Sequence, residues 1–169
     1  EGEFVSGEVD ETKLGKYTYT NGNIYEGEFK DGDFNGTGKY TFPNGESYEG
    51  EWKEGTQNGT GTYTFPNGEI YEGEWKDGDY STGKLTYTDG DIYEGEFKEG
   101  KKNGTGKMTY TEGNIYEGEW KEEKQNGTGK FTTLDGSIYE GEWKDGEANG
   151  NIKITATDGS FRKGYYENG

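Results

Sequence analysis

The stretch Tyr25-Glu26-Gly27-Glu28-Phe29-Lys30-Asp31-Gly32 is followed by Asn35-Gly36-Thr37-Gly38-Lys39-Tyr40-Thr41-Phe42, and then by Asn44-Gly45. Its two halves each alternate with period two, as a half-buried β-strand does. Tyr25, Gly27 and Phe29 fall on one face, with Gly38, Tyr40 and Phe42 from the next strand. Glu26, Glu28 and Lys30 fall on the other, with Thr37, Lys39 and Thr41. Asn-Gly is a strong signal for a tight type I′ hairpin, whose two central residues need positive φ. The Asn44-Gly45 connection is therefore expected to be the tight turn, and Lys30-Asp31-Gly32 a longer one.

The stretch repeats. Tyr-Glu-Gly-Glu-(Trp/Phe)-Lys occurs six times, with Tyr at 25, 48, 71, 93, 116 and 139, at spacings of 23, 23, 22, 23 and 23. The short unit has lost a residue in Asp79-Tyr80-Ser81-Thr82-Gly83. Glu1-Gly2-Glu3-Phe4 reads as an earlier copy, and Phe161 to Tyr166 as a degenerate late one. Strands joined by such short turns are antiparallel neighbours. The expected fold is all-β: an elongated, single-layer, twisted antiparallel meander of about fourteen strands. One array spans 1–169, with units starting near 1, 25, 48, 71, 93, 116 and 139. It diverges from about residue 150, where Ile152 replaces a strand Gly and Arg162 the leading Tyr. A cap or a following domain begins there.

Composition narrows the function. Only 25% of residues are hydrophobic while 16% are aromatic, so burial must be almost wholly aromatic. The net charge of −17 disfavours nucleic acid and anionic lipid, and favours basic partners. With neither Cys nor His, disulfides, the usual zinc sites and Ser-His or Cys-His pairs are excluded. No segment is apolar enough to span a membrane as a helix, and the first residues hold no signal-peptide pattern. An intracellular setting, cytoplasmic or cytoskeleton-associated, is favoured. The chain starts at Glu1 and stops after Asn168-Gly169, so it is expected to be a processed form or a segment of something longer.

Across units the residues form columns. One runs Phe4, Phe29, Trp52, Trp75, Phe97, Trp120 and Trp143; a Lys column runs from Lys16 to Lys153, broken at Thr62. A flat ring can lie over the bare backbone of a neighbouring Gly. Lys beside two Glu columns gives cross-strand pairs. Tyr-Glu-Gly-Glu-(Trp/Phe)-Lys followed by a Gly-x-Gly strand at a 23-residue period resembles the MORN (membrane occupation and recognition nexus) repeat over essentially the whole chain. The resemblance implies a twisted single-layer sheet with an aromatic-lined groove. It also marks a departure: many members carry a basic residue where this chain has Asn35, Asn58, Asn103 and Asn126. The basic lipid-binding patches of some members have no counterpart here.

Single-site chemistry fits poorly. The carboxylates recur in every unit, whereas an active site is one asymmetric constellation, so no catalytic residue is assigned. Asp31-Gly32-Asp33 and its relatives lack calcium-loop spacing, so no metal or cofactor is assigned either. Asn-Gly-Thr at Asn35, Asn58, Asn103 and Asn126 is a formal glycosylation pattern, read here as turn punctuation. The aromatic face is the candidate site, because a single layer has no second layer to cover it. Tyr25, Tyr48, Tyr71, Tyr93, Tyr116 and Tyr139 are expected to line a groove, and Phe29, Trp52, Trp75, Phe97, Trp120 and Trp143 to form its structural floor. The expected function is a non-enzymatic scaffold. A helix or extended segment of a protein partner, basic or amphipathic, would lie in the groove. The alternatives are a self-associating filament or dimer module, a regulatory module of a larger enzyme, and peripheral lipid binding, which the charge opposes.

Overall fold

The structure, a computed structural model, describes residues 13–167. The expected copy from Glu1 to Phe4 lies outside the described residues. All fourteen strands follow one another in sequence order within one antiparallel sheet, and the described residues contain no helix. The chain divides into two compact units, one ending at Ser81 and one beginning at Thr82. The division falls within the shortened segment Asp79 to Gly83.

The first unit holds β1 (Lys13–Thr18), β2 (Ile24–Lys30), β3 (Asp33–Thr41), β4 (Ser47–Lys53), β5 (Thr56–Thr64) and β6 (Ile70–Lys76). β7 (Asp79–Thr86) begins there and ends in the second unit. The second unit continues with β8 (Ile92–Lys98), β9 (Lys101–Thr109), β10 (Ile115–Lys121), β11 (Lys124–Thr132), β12 (Ile138–Lys144), β13 (Glu147–Thr155) and β14 (Phe161–Tyr166). The register places Tyr40 opposite Tyr48, Gly38 opposite Gly50 and, as opposite charges, Lys39 opposite Glu49. The period-two sorting of faces shows in β4, β6 and β8, where buried Tyr and Trp or Phe alternate with exposed Glu and Lys.

The two turn types are the reverse of the expectation. Lys30 pairs with Asp33, leaving only Asp31 and Gly32 in the loop, with φ of 53° and 93°. Positive φ at both central residues is the type I′ geometry. Glu54-Gly55 and Glu99-Gly100 repeat it. At the Asn-Gly connection only the glycine has positive φ, 89° at Gly45. The Gly45 N–H donates to the Phe42 carbonyl at 3.1 Å, and the Phe42 N–H to the Glu46 carbonyl at 2.8 Å. That is a three-residue loop, a type I turn closed by a left-handed glycine. Pro43 sits where its fixed φ suits the first central position of type I.

A second feature was not legible: a bulge in the second strand of the repeat. Gly27 pairs with Gly38 but Phe29 pairs with Phe34, so β3 uses four residues where β2 uses two. The same shift occurs between Gly50 and Trp52, Gly95 and Phe97, Gly118 and Trp120, and Gly141 and Trp143. Gly36 takes φ of 62° at the bulge. The Asn-Gly-Thr segments therefore lie inside strands β3, β5, β9 and β11, not in turns.

The bulge leaves backbone groups that the repeat fills with its own side chains. The Tyr25 hydroxyl donates to the Glu28 carbonyl at 2.9 Å, and the Glu28 carboxylate accepts the Thr37 N–H at 3.0 Å and its hydroxyl at 2.7 Å. Tyr48, Glu51 and Thr60 form the same clasp, as do Tyr93, Glu96 and Thr105, and Tyr116, Glu119 and Thr128. These bonds to the charged form hold the Glu28, Glu51, Glu96 and Glu119 carboxyls below the usual value.

Candidate binding face

The aromatic face is built in two levels. At the lower level lie the tyrosines that open each repeat. The Tyr48 ring lies over the glycine row, where a Cβ on Gly61 would stand 2.5 Å from it. It meets Trp52 edge-on at 5.0 Å and the following repeat's Trp75 edge-on at 4.9 Å. Tyr25 lies likewise between Phe29 and Trp52, Tyr93 between Phe97 and Trp120, and Tyr116 between Trp120 and Trp143. Each indole reaches back one repeat to donate to a glycine carbonyl: Trp52 to Gly38 at 3.0 Å, Trp120 to Gly106 and Trp143 to Gly129 at 3.1 Å, and Trp75 to Gly61 at 3.3 Å.

This interlock corrects the expected division of labour. Tyr25, Tyr48, Tyr71, Tyr93 and Tyr116 are 0–1% exposed and are the most deeply buried rings, below even Trp52, Trp75, Phe97 and Trp120 at 4–7%. They are core rather than groove lining. The physical reason is the missing Cβ at the glycines: it lets the ring lie flat, while the bulge supplies a carbonyl for the hydroxyl. Burial pushes the Tyr25 hydroxyl up to about 12, and raises those of Tyr48, Tyr71, Tyr93 and Tyr116 further. Phe29, Tyr139 and Trp143 are half-buried.

The upper level consists of the second-strand rings, which sequence reasoning did not assign to the site. Tyr19, Tyr40, Phe42, Tyr63 and Phe65 are half-buried, each keeping part of its surface exposed. Tyr40 packs on Phe42 at 4.9 Å and Tyr63 on Phe65 at 4.8 Å, while Tyr19 and Tyr40 lie 5.9 Å apart. Polar groups are set among them. Asn23 donates to the Tyr40 hydroxyl at 2.8 Å, and the Tyr63 hydroxyl donates to the Glu46 carboxylate.

A further position contributes one side chain per repeat: Phe34, Gln57, Tyr80, Lys102, Gln125 and Ala148. Phe34 stacks on Tyr25 at 3.7 Å. Lys102 fills this position in the second unit and is 9% exposed. Its ammonium stands 5.2 Å from the Tyr87 and Trp120 rings and 5.8 Å from Tyr93. It lies 3.0 Å from the Tyr87 hydroxyl and 3.2 Å from the Glu123 carboxylate. Burial alone would lower its pKa, but these partners outweigh burial and raise it. Lys102 shares the parity of Gly106 and Met108, so the signal was present. The expected strand began too late, at the Thr of Asn-Gly-Thr, to include it.

The opposite face is polar. Lys16 pairs with Glu26, Lys39 with Glu49 and Lys130 with Glu117, each at 2.9 Å, and Lys153 with Glu140 at 3.6 Å. These are the cross-strand pairs that the columns implied, and all are solvent-exposed.

The sequence profile of the MORN repeat matches residues 14–24, 25–47, 48–70, 71–81, 93–115, 116–138 and 139–152. The chain belongs to the MORN repeat family. No curated protein sequence matches it. Among solved structures, this MORN array is similar to the SAS-4 (dCPAP) TCP domain of Drosophila melanogaster, solved in complex with a proline-rich motif of Ana2. That match has a TM-score of 0.61 and 12% identity, covering 97% of this chain and 98% of that one. It is also similar to the TCP10 domain of Danio rerio CPAP in complex with a STIL peptide, with a TM-score of 0.50 and 14% identity, covering 89% and 73% of the two chains. At these identities the likeness is one of fold.

Proposed function

We propose that this MORN array is a non-enzymatic scaffold whose aromatic face holds an extended segment of a protein partner. The observation that carries the reading is the two-level construction of residues 13–81. Beneath, Tyr25, Tyr48 and Tyr71 close the core with Trp52 and Trp75. Above, Tyr19, Tyr40, Phe42, Tyr63 and Phe65 remain partly exposed on a single-layer sheet. Rings that are rigid, amphipathic and already packed from below lose little freedom on meeting a partner, which is why such residues serve as interface anchors. Likeness in fold to two domains captured with peptides supports the same use of the sheet. Tyr25, Tyr48 and Tyr71 act in this reading as supports that fix the height of the outer rings.

A peptide-display selection against the folded protein tests it. Selected peptides should lose binding to a Phe42→Ser, Phe65→Ser variant. They should keep it with Lys39→Glu, Glu49→Lys, which reverses a pair on the polar face. Loss only with the second variant would move the site to the polar face and reject the reading.

A further inference from the structure

We infer that the segment received by the first unit is a cationic polyproline II helix that runs across the strands, one turn per repeat. The inference rests on the proposed binding face and specifies its occupant. Its first ground is a match of periods. Adjacent strands lie about 4.8 Å apart, so the two strands of a repeat advance about 9.6 Å across the sheet. A polyproline II helix rises about 3.1 Å per residue with three residues per turn, about 9.3 Å. A segment crossing the strands would return the same side to each successive repeat. It would meet Tyr40 with Phe42, then Tyr63 with Phe65. An α-helix advances about 5.4 Å per turn and an extended strand repeats every two residues, about 6.7 Å, so neither keeps this step.

The second ground is hydrogen bonding. The strands of this face are ladder-paired on both sides from β2 to β5, so they offer no open edge for an added strand. A polyproline II helix needs no ladder, because its backbone carbonyls project outward and can accept bonds from side chains. The Tyr40 hydroxyl accepts from Asn23, which leaves its own proton to donate to such a carbonyl.

The third ground is charge. The acidic side chains Glu46 and Glu69 stand one repeat apart, at the position that Asn23 holds in the repeat before, and are partly exposed; the Glu46 carboxylate meets the Tyr63 hydroxyl. The second unit already shows what this environment holds. There Lys102 lays its ammonium among Tyr87, Tyr93 and Trp120, with Glu123 as counter-ion. The same position in the first unit carries Phe34, Gln57 and Tyr80, none of them cationic. A ligand lysine or arginine at every third residue would meet acid and aromatic together at the Glu46 and Glu69 repeats.

Three twelve-residue peptides test this by calorimetric titration of the full chain: repeating Pro-Pro-Lys, the same composition with irregular Lys spacing, and a basic amphipathic helix former. The periodic peptide should bind at least about tenfold tighter than either control, and salt should weaken it. Glu69→Lys should weaken it about tenfold, and Glu46→Lys, Glu69→Lys further, with circular dichroism confirming that both variants fold. Equal binding of the periodic and irregular peptides, abolished by Phe42→Ser, Phe65→Ser, would overturn the one-turn register and keep the binding face. Tighter binding of the helix former would overturn the polyproline assignment in the same way. If no peptide is sensitive to Phe42→Ser, Phe65→Ser, both the inference and the proposed face fall.

Discussion

Tyr48 shows why the tyrosine and tryptophan columns are one core. Its ring is held edge-on by Trp52 and Trp75, and its hydroxyl donates to the Glu51 carbonyl at 2.8 Å. Tyr48→Ala and Trp52→Ala should therefore each cost about 3–5 kcal/mol, comparable within error in chemical denaturation. Tyr48→Phe keeps the rings and loses one bond, about 1 kcal/mol. A Tyr48→Ala variant that melts with the parent would return the column to the surface. The glycines separate in the same experiment. Gly61→Ala would press a methyl group into the Tyr48 ring, whereas Gly55, at φ of 78°, faces open space. Gly55→Ala should cost only its backbone strain, about 1–2 kcal/mol, and Gly61→Ala clearly more. The sequence made the pairing of rings with bare backbone legible, because Gly alternates with aromatics. It did not reveal which ring lies deepest. That depends on side-chain direction along the strand and on a carbonyl released by the bulge, and neither leaves a mark in period-two spacing.

At the scale of the repeat element, the clasp at the bulge makes a pH dependence. The folded carboxyls of Glu28, Glu51, Glu96 and Glu119 sit below the ordinary value because Thr37, Thr60, Thr105 and Thr128 donate to their charged forms. Their contribution is fully present above the ordinary glutamate value, about 4.3, and is lost as pH falls through the lower folded value. Replacing all four by Gln should lower the melting temperature near neutral pH, and the gap from the parent should narrow as pH falls below the ordinary glutamate value of about 4.3. A gap that stays constant below that value would show that the carboxylates do not act through ionisation. The strands, faces and antiparallel order were legible from alternation and turn residues. The turn types were not, because Asp-Gly and Asn-Gly look alike as turn signals. Only the paired residues, Lys30 with Asp33 and Phe42 with Glu46, show how many lie in each loop.

At the scale of the molecule, a repeat closes its core only on its neighbours, as the reach of Trp75 to Gly61 and of Tyr48 to Trp75 illustrates. Deleting residues 48–70, one whole period, should leave a folded protein with its β-sheet circular dichroism intact. Loss of that signal would mean that the array cannot be shortened as a repeat. The family was legible because six copies stand in phase. The aromatic face was legible from the alternation, but the rings that stay partly exposed come from the second strand of each repeat and the residues just after it. The central claim is that the outer rings of residues 13–81 receive a partner while the columns beneath them hold the fold. Amide and aromatic chemical-shift mapping with the repeating Pro-Pro-Lys peptide tests it most directly. The account predicts shifts concentrated at Tyr19, Tyr40, Phe42, Tyr63 and Phe65, with Lys39 and Glu49 on the polar face unmoved. Shifts concentrated on that polar face, or none at saturating peptide, would contradict it.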